Sequence, residues 1–129
     1  MALLYIKNPN ASNKTIYIHR LSFGSDFTAI VNSYRDPTVV GGTLLTPVNR
    51  TGGSTVSIAQ IYGQVTGGLF TSFSGGTFTR RRYIPANDER DGLEEGTLTI
   101  PMGHSILWAG NVTTNSIHEI SSNVIWWER

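Results

Sequence analysis

The amino-acid sequence predicts an all-β fold, a single antiparallel sandwich or barrel. Glycine, serine and threonine are abundant while alanine and lysine are few, and this composition favours strands and turns over helices. Apolar and polar side chains alternate with a period of two along several stretches, which is typical of strands. Turn residues recur at a spacing of about 8 to 12 positions, and this spacing predicts about eight to ten strands.

Length and charge narrow the class of protein. A chain of 129 residues without a linker of changed composition is expected to form one domain, residues 1–129. The absence of cysteine excludes thiol chemistry and is compatible with assembly in a reducing cytosol. A net charge of +1 provides no basic field, so neither nucleic acid nor a membrane surface is an expected partner. The apolar start is too short for a signal peptide, and no run approaches the ~18 apolar residues of a membrane span.

The first half of the chain is predicted to begin as a strand, a turn and a strand. Residues 8–13 are rich in asparagine and contain a proline, which predicts the turn. Residues 14–23 follow with two faces that are both partly apolar, so we expect a strand covered on both sides. Residues 27–34 predict another strand, and residues 39–47 predict two short extended pieces around a Gly-Gly break.

The second half contains further strand patterns. Residues 56–62 fit either a strand or a short helical turn. Two Gly-Gly pairs, at residues 67–68 and 75–76, predict hairpin turns. Later strands are predicted at residues 77–84, 96–100, 105–109 and 124–127, with a polar connector at residues 110–115 between the last two.

All three tryptophans lie in the last part of the chain, as Trp108, Trp126 and Trp127. Neighbouring side chains of a strand point to opposite faces, so Trp126 and Trp127 are expected on different sides of a sheet. We expect Trp108 and Trp126 to pack in the core. The face that carries Trp127 then needs another cover, which could be a loop or another protein chain. Trp127 is the candidate interface residue because tryptophan is enriched among the buried anchors of protein interfaces.

Charge is distributed unevenly. A basic run is followed within a few positions by five acidic residues; the set is Arg80, Arg81, Arg82, Asp88, Glu89, Asp91, Glu94 and Glu95. One interpretation is a strand end and a solvated loop that neutralise each other. The other is an assembly contact, in which the arginines of one subunit, together with Asp88, Glu89 and Asp91 of a neighbour, form an interface. Strand alternation would direct Arg81 to one side and Arg80 and Arg82 to the other.

No catalytic or metal-binding motif is found. The acidic segment has oxygen ligands and a glycine but does not match an EF-hand loop, so no metal is expected there. Paired carboxylates also serve glycoside hydrolysis, but sequence spacing does not establish the required separation. His19, His104 and His118 match no zinc pattern, and there is no nucleophile elbow or phosphate-binding loop. We therefore expect a structural or binding protein, with no cofactor and no catalytic residue.

Several short motifs resemble small virion proteins of tailed bacteriophages. They are ALLYIKNP at residues 2–9, KTIYI at 14–18, DPT at 36–38, GGT at 41–43, PVN at 47–49, IPMGHS at 100–105 and VIWWE at 124–128. The resemblance covers most of the chain but not its arginine run or acidic segment. It implies a jelly-roll-type sandwich that assembles as a homo-oligomer, with a trimer as the expected form, on the capsid or another part of the particle.

The expected function is therefore that of a phage structural protein, a capsid decoration or minor head protein. Its partners would be other copies of itself and the major capsid protein or another virion protein. Its location would be the virion, after synthesis in the host cytoplasm. The alternative is a carbohydrate-binding or receptor-binding module of a phage tail or fibre, since aromatic residues beside asparagine-rich loops stack on sugars and β-sandwiches are common lectin scaffolds.

Overall fold

A computed structural model describes residues 1–50, 52–53, 55–64, 68–111 and 120–129. Residues 112–115 of the predicted connector, and His118, lie outside the described residues. The described residues form eleven strands: β1 (Ala2–Lys7), β2 (Ile16–Ser25), β3 (Ala29–Arg35), β4 (Thr38–Gly41), β5 (Thr43–Leu45), β6 (Gln60–Gly63), β7 (Phe70–Ser74), β8 (Thr77–Ile84), β9 (Asp88–Ile100), β10 (Ser105–Asn111) and β11 (Ile120–Glu128). Within these ranges there is no helix that could cross a membrane.

The strand pairs are nested. β1 pairs with β10, β2 with β9, β3 with β8, β4 with β7 and β5 with β6, and every pair is antiparallel. The chain is thus one long hairpin, with residues 46–50, 52–53 and 55–59 at its tip, that winds on itself and gains β11 beside β2. A long antiparallel hairpin wound in this way is the topology of a jelly roll. The predicted fold class, an antiparallel β-sandwich of jelly-roll type, is confirmed.

The strands form three layers. A six-stranded sheet has the order β5-β6-β1-β10-β3-β8 and packs on a three-stranded sheet of order β11-β2-β9. The main core lies between them and includes Ile6, Phe23 and Trp108. The third layer is the two-stranded sheet β4-β7, which covers the other face of the six-stranded sheet through Val39, Phe70 and other side chains.

β10 is covered on both sides. Ile106 and Trp108 enter the main core, while Leu107 and Ala109 belong to the second cluster beneath β4-β7. The sequence predicted two-sided cover for residues 14–23 instead. β2 has a core on one face, and its other face carries the ring of Tyr17.

A bulge at His19 explains why the two faces of β2 looked equally apolar. In the pairing of β2 with β11, the adjacent residues Ile125 and Trp126 lie opposite Arg20 and Ile18, so His19 is the extra residue in β2. Ile16 and Ile18 point into the core before the bulge, and Leu21 and Phe23 do so after it. An extra residue in one strand reverses the inward parity, so simple alternation assigned these four core residues to two faces.

The Gly75-Gly76 pair is a bend in the wound hairpin and not a hairpin turn. β7 pairs with β4 and β8 pairs with β3, so the chain changes sheets between them. Gly76 has a φ of +82°, and a Cβ there would lie 2.9 Å from the carbonyl oxygen of Arg35, at the matching bend between β3 and β4. The two backbone segments approach each other so closely that only glycine fits at position 76. Gly67 of the other pair lies outside the described residues.

The acidic segment is a strand, which corrects its prediction as a solvated loop. Residues 88–93 continue the ladder of β9 with β2, from Asp88 opposite Ser25 to Leu93 opposite Arg20. The strand predicted at residues 96–100 is therefore only the second part of a longer one. Backbone pairing with β2 and neutralisation by nearby arginines outweigh the low strand propensity of acidic residues. The sequence left residues 56–62 as either a strand or a short helical turn. In the structure, residues 60–63 form strand β6.

Candidate functional site

Two sheet edges meet at one side of the sandwich. β8 is an edge strand of the six-stranded sheet, and β9 is an edge strand of the three-stranded sheet. The short segment 85–87 joins them. Among the described strands, each has a single neighbour, β3 for β8 and β2 for β9. We call this surface, residues 77–84 and 88–95, the β8–β9 edge. It contains every residue of the predicted charged interface.

The arginine run divides as strand alternation predicted. Arg80 donates from Nη1 to Oε1 of Glu94 at 3.0 Å, and Arg82 donates to the same oxygen. Arg81 points the other way and donates from Nε to Oδ1 of Asn32 at 3.1 Å. The side chains of Arg82 and Glu94 are only 13% and 10% exposed, so this ion pair closes the gap between the two sheets.

The same parity divides the acidic residues of β9. Gly92 and Glu94 face Arg82, whose guanidinium occupies the space that a side chain at position 92 would need. Asp91 lies on the outer face with its partner Arg20, and the hydrogen bond from Arg20 lowers the pKa of Asp91. Asp88 forms an ion pair with Arg90 at 3.5 Å. These exposed pairs contribute little to stability individually.

Trp127 lies on the outer face of the three-stranded sheet, away from Trp126, which packs against the main core. Its ring stacks on Tyr17 with centroids 5.6 Å apart and planes 4° from parallel. A Cβ at Gly96, where φ is +79°, would lie 2.6 Å from this ring. The cover predicted for the second tryptophan is therefore partly supplied by the same chain, and Trp127 remains 37% exposed. Its role in an interface stays a prediction.

A groove lies on the opposite side of the sandwich, between β11 and residues 46–50, 52–53 and 55–57 at the tip of the wound hairpin. Its volume is about 870 Å³, and its lining includes Val48, Asn49, Val56 and Trp126. Val48 and Val56 are both exposed. We call it the β11 groove. Sequence reasoning missed it because no local pattern shows that the hairpin tip folds back on β11.

Glu128 holds the tip of the hairpin against β11. Its carboxylate accepts hydrogen bonds from the Ser57 hydroxyl, from the backbone N–H groups of Ile58 (3.1 Å) and Ala59 (3.3 Å), and from Nε1 of Trp126 (3.2 Å). Burial alone would raise the pKa of Glu128, but these donors outweigh it and the net pKa is lowered below the ordinary 4.5. In the sequence, Glu128 stands out only as the last residue of the VIWWE motif.

This arrangement predicts an acid-sensitive hairpin tip. Since the folded state lowers the pKa of Glu128, its carboxylate stabilises the fold fully above pH 4.5, and this contribution is lost as the pH falls through the lower folded value. Glu128→Gln should lower the free energy of unfolding at pH 7 by about 1 to 2 kcal/mol, because the amide replaces one acceptor oxygen with a donor. Urea unfolding between pH 3 and 7 measures both effects.

The matched control is Glu95→Gln, which changes an exposed carboxylate. It should leave the unfolding free energy at pH 7 within about 0.5 kcal/mol of the wild type. A Glu128→Gln variant that is as stable as the wild type at pH 7 would contradict the role assigned to this carboxylate.

The histidines occupy separate places. His104 Nδ1 lies 2.8 Å from Oδ2 of Asp36, whose other oxygen accepts from the N–H of Ser105. His19 contacts the ring of Trp127. Within the described ranges, no group of three or more histidine or acidic residues could hold a metal ion.

Comparison with known proteins adds no relative. No family model, curated protein or solved structure matches the chain. The functional interpretation therefore depends on the chain's own surfaces, the β8–β9 edge, the β11 groove and the stacked Trp127.

Proposed function

We propose that this protein is a structural component of a bacteriophage virion, a capsid decoration or minor head protein that assembles as a homo-oligomer. The observation that carries the proposal is that opposite sides of the sandwich both present large apolar side chains to solvent. Phe78, Tyr83 and Leu93 are exposed at the β8–β9 edge, while Val48 and Val56 are exposed at the β11 groove.

Such surfaces suit a subunit that contacts neighbours. Large apolar side chains that are exposed on one copy gain burial at a contact with another chain, and two different contact sides let a small domain bind another copy and a second virion protein at once. The phage resemblance of the sequence supports a particle as the place of assembly and a trimer as the form. The proposed role is binding, so it assigns no catalytic residue and no cofactor.

Purified particles of the phage that encodes the chain test this proposal. Mass spectrometry should detect the chain on the particles in many copies, and light scattering of the recombinant protein should give a stable oligomer without any ligand. A chain that is confined to the infected-cell lysate and is monomeric when purified would refute the virion role.

The β11 groove favours a second candidate, a carbohydrate-binding or receptor-binding module of a tail or fibre. Trp126 lines this groove beside Asn49 and Glu128, and an aromatic ring with polar neighbours is a usual sugar platform. A glycan array with the wild type and a Trp126→Ala variant distinguishes the two functions. A monomer that binds a defined sugar through Trp126 would establish this alternative.

A further inference from the structure

The β8–β9 edge carries opposite charges on its two strands. β8 contains three arginines and no acidic residue, whereas residues 88–95 of β9 contain five acidic residues and one arginine. Glu94 is held internally by Arg80 and Arg82, and Asp91 is held by Arg20. The other charges include Arg81 on β8 and Glu89 on β9, of which Glu89 is near enough to Arg20 to interact with it electrostatically. Arg81 contacts the neutral amide of Asn32, and no ion pair joins Arg81 to Glu89 within the described chain.

These two charges lie on the outer faces of their sheets. Arg81 is opposite Asn32 and Tyr83 is opposite Ile30, which place both side chains away from the main core. Glu89 is opposite Gly24 and shares the outer face with Leu93. Each strand therefore presents a charge and an exposed apolar side chain on one outer face, adjacent on β8 and separated by Asp91 on β9.

Both edges also have backbone groups that pair with no described strand. β8 pairs only with β3, and β9 pairs only with β2. An open strand edge is a template for pairing with another chain unless charge prevents it. Pairing of β8 with β8 of another copy would bring arginines together, and pairing of β9 with β9 would bring carboxylates together, so like pairs are disfavoured.

We propose that β8 of one copy docks along β9 of a second copy, with Arg81 facing the acidic outer face around Glu89 and with Tyr83 and Leu93 adding apolar contact. This proposal deepens the proposed homo-oligomer by naming its contact. Because β8 and β9 are both at the same side of the sandwich, two copies related by a two-fold axis make the contact twice. In a trimer, each edge makes it once with a different neighbour.

Charge reversal tests this contact. Arg81→Glu and Glu89→Arg each place like charges across it, so each should weaken assembly by at least about 100-fold in sedimentation velocity measured over a concentration series. Lys7→Glu reverses an exposed charge at the end of β1 and should leave assembly unchanged. Thermal unfolding of each variant confirms that it remains folded.

Two combinations then restore the charge match. The double variant Arg81→Glu/Glu89→Arg should assemble again, whatever the number of subunits. An equimolar mixture of the two single variants should assemble fully only in an even-numbered ring, where they alternate, because an odd ring keeps one mismatched contact. Recovery in the double variant alone supports the contact in a trimer, and recovery in both supports it in a dimer.

The contact is overturned if the single variants assemble like the wild type, or if neither combination recovers. In both cases a wild-type oligomer that is present on particles would leave the proposed function intact, with its interface elsewhere. A wild-type chain that is monomeric at all concentrations would instead overturn the homo-oligomer itself.

Discussion

Replacing Trp108 by alanine should lower the free energy of unfolding by about 3 to 5 kcal/mol, the usual cost of removing a large buried aromatic side chain. Trp108 is 2% exposed and lies on β10, between Leu4 of β1 and Ser33 of β3. The cavity would open in the main core, where the rigid ladders on both sides limit collapse of the surroundings. Urea unfolding followed by far-UV circular dichroism measures the change.

Trp127→Ala is the matched control, since it removes the same ring from the surface. It loses the stack on Tyr17 and part of its contact area, so the expected destabilisation is smaller, about 1 to 2 kcal/mol. Equal effects of the two substitutions would contradict the division into a core ring and a surface ring.

Replacing Asn8 by alanine should cost about 2 to 4 kcal/mol, although Asn8 is a polar residue in a predicted turn. The side chain is fully buried, and its Nδ2 donates to the carbonyl oxygens of Lys14 at 2.8 Å and Ile100 at 2.9 Å. Alanine removes both donors and leaves the buried carbonyl of Ile100 without this hydrogen bond.

The backbone of Asn8 ties in a third segment, because its N–H donates to His104 and its carbonyl accepts from Gly103. Asn10→Ala, at an exposed position of the same turn, should change the unfolding free energy by less than about 0.5 kcal/mol. Thermal and urea unfolding of both variants provide the comparison, and an Asn8→Ala protein as stable as Asn10→Ala would show that the bridge is dispensable.

The sequence predicted most strands because alternation is a local property of the chain. The sequence-based prediction was wrong where tertiary contacts outweighed the local pattern of residues. The bulge at His19 reversed parity within β2, and the ladder with β2 made a strand of residues 88–93 despite their charge. The close approach at Gly76 gave a bend where a Gly-Gly pair usually means a hairpin.

The candidate site was partly predictable for the same reason. Alternation alone separated Arg81 from Arg80 and Arg82, and the structure confirms that division. The role of Glu128 was not predictable, because its donors at residues 57–59 are about seventy positions away in the chain. Contacts at that separation depend on how the hairpin winds, which no short pattern encodes.

The nested pairing has a consequence for synthesis of the chain. β10 lies between β1 and β3 in the six-stranded sheet, so a nascent chain that ends before Ser105 has two separate half-sheets, β5-β6-β1 and β3-β8. Their joining requires a strand made about a hundred residues after β1, and such long-range closure slows the folding of β proteins to milliseconds or seconds. β10 is therefore the last strand to join the six-stranded sheet, and the two half-sheets can be joined only after β10 has emerged from the ribosome.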